Sequence, residues 1–520
     1  MSEAPDELDI ALQSGMALAY HAASQPAAIA VSSPFGDRNY ADLNKRTNQL
    51  VRFLRERGVG PGSAIAAVTR NRSEFVEVLS AATRGGYRFT PVNYHLTAEE
   101  VGYVIDDCEA SAVIYDAGLG TGVDAVKHAP NCALRLALDG DIEGFESYEN
   151  AIQSYDDSDI SDPEHGTAMF YTSGTTGRPK GVQRKGQPTP TAASVRFTGQ
   201  SPSTVNLCTG PMYHGAPLVM NVTTPLNAGS KLVLMDKWDA EETLRLIAEH
   251  GVTHTHMVST MFHRLLQLPQ ETKDKYDLSS LTRVVHGAAP CPVHIKRAII
   301  EWFGPVVYEY FAATEGGNLY MIDSETWLRK PGSVGTTAQP QNTRILDEDG
   351  NELPTGETGY IYFKAPEKGR FEYFKSSEKT ANSYRGDWFT LGDMGYVDED
   401  GFLFLNGRSA ETIISGGVNV YPQEIDDVLL QHDAVLDVCT IGVPNDEWGE
   451  EVKSVVQLAP GYDAGDDLAE IILVHAKDHL PAFKRPRSID FVKALPRMSS
   501  GKVQRNAVRS SYWADQDLKI

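Results

Sequence analysis

The sequence predicts an α/β protein, with a large N-terminal unit of helix-covered β-sheets and a smaller α+β unit after it. Three observations carry that expectation. Apolar residues recur at helical spacing in some segments and form short unbroken runs in others. The two patterns alternate as β–α–β up to about residue 400. Near Gly407-Arg408 the texture changes, and at 520 residues the chain is too long for one ordinary core.

The elements follow in order. Leu43, Leu50, Val51 and Leu54 repeat with helical period until Gly58-Val59-Gly60-Pro61-Gly62 breaks the segment. Ala64 to Val68 reads as a buried strand. Thr97, with Glu100 three residues on, forms a capping box that opens another helix. Ser111 to Tyr115 is a further apolar strand. From Gly350 to Gly401 the chain is rich in glycine, aromatic residues and acids, as in short antiparallel strands. Pro422 then starts a helix at its first turn, Val435 to Val443 is strand-like, and Phe483 to Val508 is basic and mixed. The expected division is 1–407 and 408–520.

Bulk composition narrows the function. Hydrophobic residues make up 41% and charged residues 22%, as in a globular protein without long disorder. No apolar run approaches the roughly 18 residues of a membrane span, and the acidic start MSEAPDELDI lacks the features of a secretory signal. Five scattered cysteines without CxxC spacing fit reduced thiols, so a cytoplasmic location is expected. The net charge of −23 argues against nucleic acid as a partner. Yet Lys484 to Arg509 holds eight basic residues against Asp490 alone, a distribution suited to a polyanionic small molecule or to a solvated surface.

The strongest local signal is Tyr171-Thr-Ser-Gly-Thr-Thr-Gly-Arg-Pro-Lys-Gly181. An apolar strand runs into hydroxyls and glycines and ends at Lys180, a composition that converges N–H groups, O–H donors and a cation on polyphosphate. The spacing is not that of a Walker A loop.

This loop resembles the signature of the adenylate-forming superfamily, which includes acyl-CoA synthetases, amino-acid adenylation domains and beetle luciferases. Further segments resemble that family in order, from about Tyr40 to Arg505. They are Met212-Tyr-His-Gly-Ala-Pro217, His286-Gly-Ala-Ala-Pro290, Tyr310-Phe-Ala-Ala-Thr-Glu315, Trp388-Phe-Thr-Leu-Gly-Asp393, Gly407-Arg408 and Pro496-Arg-Met-Ser-Ser-Gly-Lys502. The resemblance implies a distorted barrel within the large domain and a mobile small domain. It implies ATP, Mg²⁺ and coenzyme A as cofactors and a small-molecule carboxylic acid as substrate, and leaves a homodimer open.

It also implies roles for particular residues. ATP would be held by Thr172, Ser173, Gly174, Thr175, Thr176, Gly177 and Lys180, by Gly287, Ala288 and Ala289, by Tyr310, Phe311 and Thr314, and by Asp393 and Arg408 at the ribose. Lys502 would bridge carboxylate and α-phosphate, Thr314 would donate to that phosphate, and Glu315 would supply an oxygen ligand to Mg²⁺. His214 would stand at the carboxylate entrance, with His256, Met261, Gly316 and Gly317 toward the acid pocket. Gly416 and Gly417 would line the CoA passage, and Ala410 would be the hinge. Phe311, Ala312 and Ala410 depart from the family's usual tyrosine, glycine, and aspartate or lysine. His254 and His256 share a strand face, but with no third ligand at suitable spacing they predict no metal pair.

The expected reaction is ATP-dependent acid–thiol ligation through an acyl-adenylate, with an acyl-AMP ligase loading a carrier protein as the alternative. Amino-acid adenylation is disfavoured because Tyr213-His214-Gly215 replaces the aspartate usual there. The pocket segments carry no obvious cation for a second carboxylate. A hydrophobic monocarboxylate is therefore expected, whether fatty, aromatic or sterol-derived.

Overall fold

The computed structural model describes residues 6–172, 179–186, 188–415, 418–445, 448–498 and 501–513. Two parallel sheets dominate the first part. One is wholly parallel, with Ala64–Val68 at its centre between Arg88–Pro91 and Ala110–Asp116. Every residue of Ala64–Val68 is buried, which is why its sequence is a continuous apolar run without alternation. The other has eight strands, with Val205–Cys208, His254–Met257, Arg283–His286 and Val307–Ala313 parallel and adjacent. Its edge strand Gly316–Asp323 turns back antiparallel to Val307–Ala313.

The helices form where the periodicity places them. Tyr40–Glu56 buries Leu43, Leu50, Val51 and Leu54 on one stripe, and Asn39 caps it by accepting from the Asp42 N–H. At Ala98–Asp107 both halves of the Thr97–Glu100 capping box are formed. Fully buried Tyr40, Phe75, Phe89 and Leu54 belong to the largest core cluster, under helices Tyr40–Glu56 and Ser73–Gly85.

In the place of the expected distorted barrel, two antiparallel sheets share one core of Val182, Ile361, Phe363, Phe371, Phe389 and Leu403. The smaller holds Phe170–Thr172, Lys180–Arg184 and Phe371–Tyr373; the larger holds Trp388–Val397 and Leu403–Arg408. Arg408 is the last residue of its strand, facing Asp393 across the ladder, and a 3₁₀ turn at Ser409–Glu411 follows. The next strand, Ile413–Ser415, belongs to a separate sheet with Val435–Asn445, Gly449–Leu458 and Ser488–Val492. Helices Pro422–Leu429 and Asp466–His479 pack on that sheet through Ile425, Leu429, Ile472 and Ala476. No helix among the described residues is long and apolar enough to cross a membrane.

Candidate active site

The ends of the parallel strands open into one cavity of about 1430 Å³, larger than the roughly 300–1,000 Å³ of an ordinary ligand pocket. Its walls include Phe170, His214, His256, Met261, Ala288, Tyr310 and Thr314. Gly501 and Arg497 reach the same cavity from the C-terminal unit. A Cβ at Gly501 would come within 2.9 Å of the Thr260 Oγ1, so the segment carrying Lys502 sits hard against the pocket rim.

Phe170–Thr172 and Lys180–Arg184 pair antiparallel with Thr172 opposite Lys180. Ser173, Gly174, Thr175, Thr176 and Gly177, in the loop between them, lie outside the described residues, as do Gly416 and Gly417. The hairpin foot is anchored by the Tyr171 hydroxyl, which donates to Asp107 Oδ2 at 2.6 Å. Glu315 follows the strand Val307–Ala313, and its Oε1 accepts from the Tyr373 hydroxyl at 3.1 Å. Lys379 stands nearby, over the Tyr373 ring; burial and Lys180 push its amine down to about 8, while Glu315 opposes.

No group of three His, Cys, Asp or Glu that could hold a metal ion occurs among the described residues. A cation at Glu315 would therefore take one protein carboxylate and complete its shell with phosphate oxygens and water, the habit of Mg²⁺. The residues fit that ion.

The loop after strand Arg283–His286 passes close to Tyr310. A Cβ at Gly287 would lie 2.6 Å from that ring, so only glycine fits. Ala288 follows at φ 65°, a conformation that L residues adopt at a cost. Ala289 continues the same loop. Phe311 leans on Tyr320 and Phe363, with ring centroids 6.4 and 6.1 Å away.

Asp393 and Arg408 are paired, with the guanidinium Nε donating to Asp393 Oδ1 at 3.1 Å. Lys502 stands in their field. Burial pushes the Asp393 carboxyl up while Arg408 and Lys502 oppose it; burial and Arg408 push the Lys502 amine down while Glu411 and Asp393 oppose. The structure thus brings Asp393, Arg408 and Lys502, which lie far apart in the chain, into one another's field.

His214 lines the cavity beside Tyr213, with ring centroids 4.7 Å apart, and burial with nearby His95 pushes its imidazole down to about 4. His256 is buried on strand His254–Met257, and burial pushes it down to about 4 as well; its Nε2 meets the Tyr310 hydroxyl at 3.3 Å. Both rings are neutral at ordinary pH. Gly316 and Gly317 are not on the cavity wall. A Cβ at Gly316 would meet the Arg184 guanidinium at 3.4 Å, and one at Gly317 the Phe363 ring at 3.0 Å. Ala410 is the middle residue of the Ser409–Glu411 turn.

Sequence reasoning passed over Lys379, Tyr373, His95 and Arg497. Tyr373 is brought there by the pairing of Phe371–Tyr373 with Lys180–Arg184, Lys379 by the helix Ser377–Asn382 that follows that strand, and His95 by a turn; Arg497 lies within the Pro496–Lys502 motif, which marks Lys502 and not its neighbour.

Comparison with known proteins agrees with this geometry. Residues 18–370 match the AMP-binding enzyme family, and residues 424–502 match the AMP-binding enzyme C-terminal domain. The chain is 30% identical to an indoleacetate–CoA ligase of Aromatoleum aromaticum over 94% of its length and 96% of that protein's. It is 28% identical to a fatty acid–[acyl-carrier-protein] ligase of Streptomyces coeruleorubidus, covering 96% of each. Among solved structures, ATP-bound MatB from Rhodopseudomonas palustris superposes with a TM-score of 0.82 at 29% identity, over 97% of this chain and 99% of that one.

Proposed function

This chain belongs to the AMP-binding enzyme family, and from that premise we propose that it is an AMP-forming carboxylate–CoA ligase acting on a hydrophobic monocarboxylic acid. The observation that carries the reading is Lys502, desolvated by burial and in the field of the Asp393–Arg408 pair, on a segment whose Gly501 lines a cavity large enough for two substrates. Attack of a carboxylate on the α-phosphate brings two anions together, so the site must hold and neutralise them.

Lys502 bridges the two anions during adenylation, and Thr314 donates to the α-phosphate. Asp393 accepts from the ribose hydroxyls, with Arg408 holding that carboxylate in place. Glu315, oriented by Tyr373, offers its oxygen to Mg²⁺, which when bound neutralises phosphate charge. Neutral His214 orients the acid at the entrance and adds no second cation. Acyl transfer to the CoA thiol follows once AMP is the leaving group.

The apolar class of the acid rests on Met257, Val258, Met261, Leu218 and Phe170 among the cavity walls, which also carry Arg70, Arg184, Lys237, Arg264 and Arg497. His256 and the Tyr310 hydroxyl are already paired with each other. The carrier-protein ligase among the relatives supports a second reading, in which a protein-bound pantetheine is the acceptor. A panel of fatty, aromatic and sterol-derived acids, assayed by pyrophosphate release with and without free CoA, tests both. Thioester formation on free CoA supports the first reading. Acyl-AMP that accumulates with CoA present, and transfers only to a carrier protein, refutes it.

A further inference from the structure

The hairpin foot holds more positive charge than a single phosphate-binding lysine accounts for. Lys180 ends the glycine- and hydroxyl-rich loop. Lys379, from the short helix Ser377–Asn382, lies over Tyr373, whose strand pairs with Lys180–Arg184 so that Val182 is opposite Tyr373; the charge of Lys180 disfavours the Lys379 ammonium and Glu315 favours it. Two neighbouring ammonium groups repel, and among the described residues neither closes an ion pair of its own. A long, flexible lysine released from any constraint would swing into water.

Lys379 is held in place instead. Its Nζ lies 4.8 Å from the centroid of the Tyr373 ring, a cation–π contact. The same tyrosine donates its hydroxyl to Glu315, so a residue on the strand that pairs with Lys180–Arg184 links Lys379 to the carboxylate. The helix itself is pinned, because Tyr373 N–H donates to Thr380 Oγ1 and that hydroxyl donates to Ser376 O, both at 2.9 Å.

We propose that Lys379 is a second ammonium for the outer phosphates of ATP, sharing them with Lys180 until they leave as pyrophosphate. The inference rests on the adenylating function proposed above. When the carboxylate oxygen bonds to the α-phosphorus, the bond from that phosphorus to the bridging oxygen of the β-phosphate breaks. The bridging oxygen keeps the electron pair, and no proton need move. Charge grows on the departing pyrophosphate, where two adjacent ammonium groups are worth most. Two ammonium groups that repel each other both gain when an oxyanion lies between them.

Calorimetric titration of the full chain with Mg²⁺–pyrophosphate, and separately with AMP, tests the assignment. Lys379→Met should weaken pyrophosphate binding roughly tenfold, the scale of one charge-assisted hydrogen bond. It should leave AMP affinity and the melting temperature unchanged. Lys379→Arg should recover most of the loss, and Lys379→Gln serves the same comparison should the methionine variant misfold. Conversion of supplied acyl-AMP and CoA to thioester should proceed as in the wild type. Pyrophosphate binding that is unchanged in Lys379→Met, or a parallel loss of AMP affinity, overturns the role of Lys379. A wild-type chain that binds AMP but releases no pyrophosphate from ATP with any acid overturns the adenylating function itself, a different outcome.

Discussion

Lys502 sits where an ammonium is useful and costly at once: burial and Arg408 disfavour its charge, and Asp393 and Glu411 restore part of it. That balance suits a group that meets its full counter-charge only when two anionic substrates arrive. Lys502→Ala should lower pyrophosphate release by about 10²–10³, the effect of removing one preorganised donor. Thioester formation from supplied acyl-AMP should stay within a few-fold of wild type. Equal loss of both half-reactions in a folded variant contradicts this role. His256 makes a second residue-scale prediction, through pH. Its folded-state value of about 4 lies below the ordinary 6.5, so the native state prefers the neutral ring. The stability this neutral state supports is fully present above pH 6.5 and is lost as pH falls toward 4. His256→Gln removes that titration. Its melting temperature should trail the wild type at neutral pH, where the Tyr310 contact counts, and the gap should narrow steadily toward pH 4.5. A gap that stays constant shows that His256 does not titrate in this window.

At the scale of elements, what could be read in advance was whatever is written locally. The stripe Leu43, Leu50, Val51, Leu54 and the Thr97–Glu100 box each specify a helix through neighbours a few residues apart, and both helices are present. Pro422 does open a helix, and Val435 to Val443 lies within a single strand. The site was legible only where its residues sit in contiguous motifs. Lys379 and Tyr373 carry no such mark; they reach Glu315 because Phe371–Tyr373 happens to pair with Lys180–Arg184. Gly316 and Gly317 show the converse. Their position after Glu315 suggested a pocket wall, but the antiparallel return of Gly316–Asp323 turns Gly317 toward Phe363. The loop Gly287–Ala289 supplies the prediction at this scale. Ala288 holds φ 65°, which glycine adopts freely and a β-branched residue hardly at all. Ala288→Gly should therefore keep ATP affinity, measured by calorimetry. Ala288→Val should weaken it about tenfold or more, because relieving strain of about 1–3 kcal/mol displaces the loop beside Tyr310. Equal affinity in the two variants shows that the loop does not contact the nucleotide.

For the whole molecule, the small C-terminal unit brings Arg497 and Gly501 to the cavity and Lys502 into the field of Asp393, an arrangement that suits the proposed adenylation. Thiol transfer needs the space beside the acyl group, and Arg497 and Gly501 now occupy its rim. One chain can serve both steps if the unit rotates between them, with the change absorbed by a few dihedrals. The proposed pivot is the turn Ser409–Glu411, between the last strand of one sheet and the first of the next. Its geometry distinguishes two proline substitutions. Arg408 is extended at φ −114° and ψ 142°, the conformation that a following proline requires, and Ser409 opens the turn, where proline's fixed φ is already suited. Ser409→Pro should therefore favour the present arrangement, retaining acyl-AMP formation while slowing thioester formation by an order of magnitude or more. Ala410→Pro instead pushes Ser409 out of its helical conformation toward an extended one. That disfavours the present arrangement, so it should slow pyrophosphate release more than the transfer from supplied acyl-AMP to CoA. Rapid-quench measurement of the two half-reactions in both variants decides the matter. If both prolines impair the same half-reaction to the same degree, or neither impairs any, the turn is not the pivot.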